Sequence, residues 1–243
     1  MYNMNTTNIR MSLRSQQKKD RVVYMDFETT GLNVFQCEIT EVALYDNMGH
    51  QYESIVQIDG TVSEYVQRLT GITMEKIKTQ GQPVDTVVGN ICKFINGDLG
   101  FLYGGQYSAS PASFIVGHNL LQFDLPLLKV QIQRCNGRNK SSKTANKTSS
   151  LHLPNDIKAI DTLIVAQKYY TIEDDPRNPY KRKYSLENLS ATFELKNRPS
   201  HRAMSDVLAT CELLEIVSND LAKRNKPNTL SDIYNDAMRY HTQ

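Results

Sequence analysis

The chain has 243 residues, 28 of them basic and 26 acidic, for a net charge of +2, and 40% of it is hydrophobic. That balance supports a packed core and excludes both a highly charged disordered chain and a strongly cationic binding protein. At about 150 residues per domain the length fits one large domain or one domain with additions, and no apolar run approaches the ~18 residues needed to span a bilayer.

Residues 1–20 read as a polar tail without the apolar centre of a secretory signal. The expected location is therefore intracellular, cytoplasmic or nuclear, and not secreted. Order is predicted from Arg21. The run Val22-Val23-Tyr24-Met25 reads as a buried central strand, ended by the turn Thr29-Thr30-Gly31. Residues 38–46 and 51–57 alternate apolar with polar around a turn at Asn47-Met48-Gly49. Three strands with tight connections predict an antiparallel meander.

The period then changes. Short helices are predicted over 63–70 and 73–78. A longer one, 84–96, puts Val84, Val87, Val88, Ile91 and Ile95 on one stripe. The tetrapeptide at 114–117 is another short buried strand, and 124–134 a helix with Pro126 in its first turn. Residues 136–150 carry Arg138, Lys140, Lys143 and Lys147 with no acid, and read as a basic surface insertion. It is either an uninvolved solvated loop or a nucleic-acid contact. A last strand at 157–161, a helix over 162–170 and a basic loop over 174–184 follow. Ser185 then caps a helix, 202–217 forms another, and an amphipathic segment over about 230–240 closes the chain. Meandering strands followed by alternating helices and strands predict one α/β domain over 21–243 with a mixed sheet.

The cysteines at 37, 92, 135 and 211 match no zinc or redox spacing and read as reduced thiols. No histidine pairs with a cysteine at metal-site spacing. Any metal must be held by carboxylates, which favours hard ions such as magnesium or manganese.

Three segments carry candidate chemistry. Asp26 and Glu28 stand at i and i+2 on the first strand and so share a face. Side by side they repel unless a cation lies between them; alone, the pair is equally two solvated acids at a strand end. Asp124 opens a helix after a strand and a polar turn, where a capping carboxylate is ordinary. His201 and Asp206 are five residues apart, about 140° of helix rotation apart if both are helical. They converge only if His201 lies in the first turn or just before it. A histidine there is otherwise structural.

Together the segments say more. DFETTGL at 26–32, GHNLLQFDLPLL at 117–128 and HRAMSD at 201–206 resemble, in order and spacing, the three exonuclease motifs of the DEDD superfamily. The branch resembled is DEDDh, the DnaQ-like proofreading exonucleases of the ribonuclease H-like superfamily, because His201 stands five residues before the last aspartate. Leu69-Thr70-Gly71-Ile72-Thr73 after the third strand and Ile160-Asp161-Thr162-Leu163 in the last strand are secondary echoes. The resemblance covers roughly 21–217.

It implies a ribonuclease H-like fold, a five-stranded mixed sheet with helices on both faces. It implies that Asp26, Glu28, Asp124 and Asp206 hold two Mg2+ or Mn2+ ions roughly 3.5–4 Å apart, with Asp26 bridging and His201 as general base. Thr29, Thr30 and Leu32 would contact the terminal nucleotide, through backbone amides at the turn and through Leu32 on its base, and Asn119 would reach the substrate backbone. The implied activity is 3′–5′ hydrolysis from the 3′ end of nucleic acid, releasing nucleoside 5′-monophosphates. The FETTGL version is closer to DNA proofreading and repair members. DNA, single-stranded or frayed, is therefore favoured over RNA, with a polymerase or repair partner acting in trans and no membrane partner. The alternatives are an exoribonuclease on the same fold, a non-catalytic nucleic-acid-binding module, and a small-nucleotide hydrolase.

Overall fold

The computed structural model describes residues 20–141, 150–173 and 182–238. The polar tail up to residue 19, residues 142–149 of the basic insertion, 174–181 of the second basic loop and the chain end from 239 lie outside the described residues.

Five strands form one sheet in the order β3-β2-β1-β4-β5. They are β1 Val22–Thr29, β2 Ile39–Asp46, β3 Gln51–Ile55, β4 Phe114–Gly117 and β5 Lys158–Asp161. The meander β1–β2–β3 is antiparallel, whereas β1–β4 and β4–β5 are parallel. The predicted five-stranded mixed sheet is present. Its first strand runs further than its apolar stretch, so Asp26 and Glu28 lie within β1 rather than beyond it.

Alternation along β1 divides the core. Val23, Met25 and Phe27 pack with Val87, Val88, Ile91 and Leu127, while Val22 and Tyr24 pack with Val165, Val207 and Leu214. Each such side chain contributes about 1.5–3 kcal/mol when fully buried, which commits β1 to its register, since a one-residue slip would swap the faces. By the same alternation Asp26 and Glu28 point to the Tyr24 side.

On the first face lie α3 Val84–Asn96 and α5 Asp124–Ser141; before them come α1 Glu64–Thr70 and α2 Met74–Gln80, and α4 Gly100–Tyr103 links α3 to β4. The other face carries α6 Thr162–Tyr169, α7 Leu186–Thr192 and α8 Ala203–Lys223, followed by α9 Leu230–Ile233 and a π turn at Tyr234–Met238. The helix α8 lies across β1 and β2.

Two expectations need correction. The segment from 136 is not loop at its start, because α5 continues to Ser141. Tertiary contacts offset the helix cost of Gly137, about 1 kcal/mol. Asn136 exchanges two hydrogen bonds with the Leu151 backbone, both 2.9 Å, and Arg138 pairs with Asp85 of α3. The last helix of the motif region extends past 217 to Lys223.

At the end of the sheet where β1 begins, Arg21 and His50 both bind Asp46 at 2.8 Å, and His50 Nε2 meets Tyr107 Oη at 2.9 Å. Tyr103 and Tyr107 pack on the His50 ring and Phe101 packs edge-on to Tyr52. These aromatics are structural here. All four cysteines are buried and free.

Candidate active site

The three parallel strands β1, β4 and β5 end on the same side of the sheet, and the motif residues gather there. Ligands of open α/β sheets bind outside the carboxyl ends of strands. Asp26 and Glu28 come from the second half of β1 and Asp206 from the first turn of α8. One carboxylate oxygen from each lies within 4.8 Å of the others, a spacing that can hold a metal ion.

Asp124 opens α5 and is buried against β1. Its Oδ1 accepts from the Phe27 amide at 3.0 Å. It stands outside the three-acid group that could hold an ion. Its charge is nonetheless the largest of the neighbouring charges acting on Asp26, after burial itself. The structure thus brings three of the expected acids into one cluster and sets the fourth behind them, tied to the backbone between the first two.

The electrostatics are those of a site that wants a cation. Burial, then repulsion from Asp206 and Glu41, pushes Glu28 up to about 8, with Arg202 opposing. Burial, then the charge of Asp124, Asp206 and Glu28, raises Asp26 well above the usual carboxylate range. Asp124 is also raised by burial, against the Phe27 hydrogen bond. Asp206 is raised by burial, less so because Ser200 donates to it at 2.9 Å and His201 lies close. Hard oxygen donors, crowded and half-buried, fit a hard divalent ion. Among the described residues, no other group of three or more potential ligands meets that spacing.

His201 is exposed and lies two residues before α8, outside the helix. This is the placement its spacing to Asp206 required. Its φ of 53° puts it in the left-handed region, at a cost on the order of 1–2 kcal/mol. The next residue explains how the turn is held. Arg202 grips Glu41 of β2 through Nη2 at 2.6 Å and Nε at 3.0 Å, and the Ala203 amide donates to the same carboxylate at 3.1 Å. Glu41 faces Glu28 directly across β1–β2.

The expected substrate contacts are placed unevenly. Leu32 is 83% exposed in the turn after β1. Thr29 spends its hydroxyl on Gly31 O at 2.7 Å. The Thr30 amide, expected to face a nucleotide, donates to Glu38 O at 2.9 Å, and its hydroxyl accepts from Glu38 N. These threonines build the turn that displays Leu32. Asn119 leaves β4 with φ 60°, a conformation asparagine tolerates.

Asp161 was noted only as an echo in the last strand, yet it organises this end of the sheet. Fully buried, it accepts from the amides of Asn119 (2.9 Å), Leu121 (3.0 Å) and Leu163 (3.0 Å). The β4–α5 turn and the start of α6 therefore hang on one carboxylate. The Glu41–Arg202 pair was missed as well. Its one sequence signal is an acid set among apolar strand residues. His118 is structural. Nδ1 meets Thr162 Oγ1 at 3.0 Å, and burial lowers its pKa to about 4.

Comparison with known proteins agrees with this geometry. The profile of the RNase_T exonuclease family matches residues 23–214. DNA polymerase III of the PolC type from Caldanaerobacter subterraneus is 25% identical over 195 residues, which is 79% of this chain and 11% of that protein. The corresponding Streptococcus sanguinis protein is 25% identical over 221 residues, 89% of this chain and 12% of its own. Among solved structures, E. coli exonuclease I in complex with a dT13 oligonucleotide superposes with a TM-score of 0.62 at 17% identity, over 85% of this chain and 43% of that one. The chain thus spans about a ninth of its curated relatives and well under half of the exonuclease I chain. The shared fold is ribonuclease H-like. The chain belongs to the RNase_T exonuclease family, whose matched region takes in all three motif segments, and its clustered acids could hold a divalent metal ion.

Proposed function

We propose that this chain removes nucleotides from the 3′ ends of single-stranded or frayed DNA, releasing nucleoside 5′-monophosphates. The observation that carries this reading is the convergence of Asp26, Glu28 and Asp206 from two distant elements, with His201 on the turn beside them. The PolC relatives are DNA polymerases and the E. coli exonuclease I match holds a deoxythymidine strand, which supports DNA over RNA.

Asp26, Glu28 and Asp206, with Asp124 through its remaining oxygen, would hold two Mg2+ or Mn2+ ions. Bound there, divalent ions supply Lewis-acid stabilisation of the attacking and departing oxygens. His201, outside the helix and open to water, takes the proton of the attacking water. Histidine is the side chain most often used for such a proton transfer. Leu32 packs against the terminal base, and Asn119 orients the strand behind it. A single-stranded end is required because the reacting phosphate must reach carboxylates at the foot of a turn.

The test is a time course on 3′-labelled DNA and RNA oligomers, single- and double-stranded, in Mg2+ and again in EDTA. The expected result is label release as 5′-monophosphate from single-stranded DNA, abolished by EDTA. Label retained in both buffers would end the enzymatic reading, and faster release from RNA would reassign the substrate.

A further inference from the structure

The two most exposed large apolar side chains among the described residues stand three positions apart on one turn, Leu32 at 83% and Phe35 at 70%. That turn, residues 30–38, continues directly from β1, which carries Asp26 and Glu28. Thr30 ties its two ends together through the Glu38 backbone. Between them the Asn33 carbonyl accepts from the amides of Gln36 (2.9 Å) and Cys37 (2.7 Å), which makes a single helical turn. In such a turn residues three apart share a side. Val34 and Cys37 pack inward, onto the core cluster that holds Phe27 and Leu125. Leu32 and Phe35 are left facing out.

Exposure here does not come from a loose backbone. The Phe35 amide donates to Asn33 Oδ1 at 3.0 Å, and its carbonyl accepts from Arg134 Nη2 of α5 at 2.6 Å. A guanidinium 99 residues away thus fixes the peptide that carries the ring. The ring itself has no aromatic or cationic partner among the described residues. One exposed apolar side chain calls for no explanation. A pair on one pinned turn, beside the strand end that bears the clustered acids, does. The backbone is ordered before any ligand arrives, which lowers the entropic cost of binding.

We infer that Phe35 is a second base-stacking residue: with Leu32 against the terminal base, the Phe35 ring stacks on the base of the next nucleotide, on the 5′ side of the scissile bond. The inference rests on the exonuclease reading and deepens it, by adding a residue that grips the part of the strand that stays behind. Three residues span at most about 11 Å even when extended, and the helical turn shortens that, so the ring stands within a nucleotide's reach of Leu32. Aromatic stacking accepts every base, because each has a π face. It needs that face bare, which a base paired and stacked in a duplex does not offer. Phe35 therefore favours an end that is unpaired through its second nucleotide, and it grips without reading sequence.

The test is a cycle of two changes. kcat/KM is measured on a ten-nucleotide thymidine strand, and on the same strand lacking its second base from the 3′ end, for the full chain and for Phe35→Ala. For the unaltered chain the missing base should lower kcat/KM about tenfold, the order of one aromatic–base stack. Phe35→Ala should lower it as much on the intact strand, mainly through KM, because the ring does not touch the reacting phosphate. The two changes together should lower it no further. Phe35→Ala equal to the unaltered chain, or penalties that multiply, would overturn the inference. A second readout needs no turnover. The chain has no tryptophan, so Phe35→Trp gives a single emitter, whose fluorescence the strand should quench in EDTA. Met48→Trp, exposed on the β2–β3 turn at the opposite end of the sheet, should not be quenched. An unquenched Phe35→Trp, or equal quenching at both positions, would also overturn it. If the unaltered chain cleaves neither strand, the exonuclease reading fails, and the quenching alone decides whether Phe35 meets a base.

Discussion

Arg202 and Glu41 are 161 residues apart and form the contact that holds the His201 turn to the sheet. The carboxylate is 5% exposed and the guanidinium 43%. Arg202 also opposes the repulsion between Glu41 and its cross-strand neighbour Glu28. One ion pair therefore serves three ends: it compensates a buried acid, fixes the start of α8 and lowers the charge load beside the metal ligands.

Arg202→Ala should consequently cost both stability and rate. Because the arginine is substantially solvated, the stability loss is about 1–3 kcal/mol, the cost of stranding a buried acceptor, rather than that of a fully buried pair. The rate should fall through kcat with little change in KM, as His201 loses its fixed turn. Arg202→Lys keeps the charge but not the fork and should fall between. Chemical denaturation and steady-state kinetics check this; an unaltered kcat in a destabilised Arg202→Ala protein would separate the pair from the catalytic turn.

His201→Ala should lower kcat by roughly 10²–10⁴, the usual contribution of a general base. It should also relieve the left-handed backbone little, since alanine is strained there too. Mn2+ titration should give an affinity close to that of the unaltered protein, because the three clustered acids do not include the histidine. Loss of metal affinity would make His201 a ligand instead.

The sheet and the acid cluster were readable because their signals are local. Val22-Val23-Tyr24-Met25 and the 114–117 tetrapeptide are short buried runs, and i, i+2 spacing alone puts Asp26 and Glu28 on one face. What escaped depends on partners distant in sequence. Nothing near residue 136 announces that Asn136 will meet Leu151 or that Arg138 will find Asp85, so a helix was read as loop. Thr30 looked like a ligand contact because its amide partner, Glu38, returns only after the turn. Glu41 is one polar residue of an alternating strand, and α8 packing over β2 is what makes it interior.

Asp161→Ala should damage the site without touching substrate. It would strand the amides of Asn119, Leu121 and Leu163, each costing about 1–3 kcal/mol where it stays dry. Asp161→Asn keeps one acceptor oxygen and should retain part of the stability. Hydrogen exchange should report faster opening at 119–121 and 163 in both variants, more so in the alanine. Unchanged protection at those amides would remove Asp161 from its organising role.

Asp26→Asn should abolish turnover while raising the thermal midpoint in EDTA. It replaces an acid that is raised by burial and by the charges of Asp124, Asp206, Glu28 and Glu41 with a neutral isostere. Such a gain in stability at the cost of function is the expected mark of a strained site. A lower midpoint in EDTA would mean that Asp26 is stabilising even without a cation.

The same repulsion sets the pH response. Glu28 titrates near 8 when folded against 4.5 ordinarily, so between those values the folded chain keeps a proton that the unfolded chain has released. Stability from this group is full below about pH 4.5 and is lost as pH climbs toward 8. Asp26, Asp124 and Asp206, also raised, act in the same direction. Asp85, lowered by Arg138, opposes them only in acid, its contribution vanishing as pH falls below its ordinary 3.8. In EDTA the thermal midpoint should therefore decline from pH 5 to pH 8. Divalent ions bind the deprotonated carboxylates and should reverse the slope, adding about 2.7 kcal/mol at a free concentration a hundredfold above Kd. Melting curves at pH 5, 6.5 and 8, with EDTA and with Mn2+, give the answer. A midpoint in EDTA that rises toward pH 8 would show that the clustered acids do not repel one another enough to need a cation.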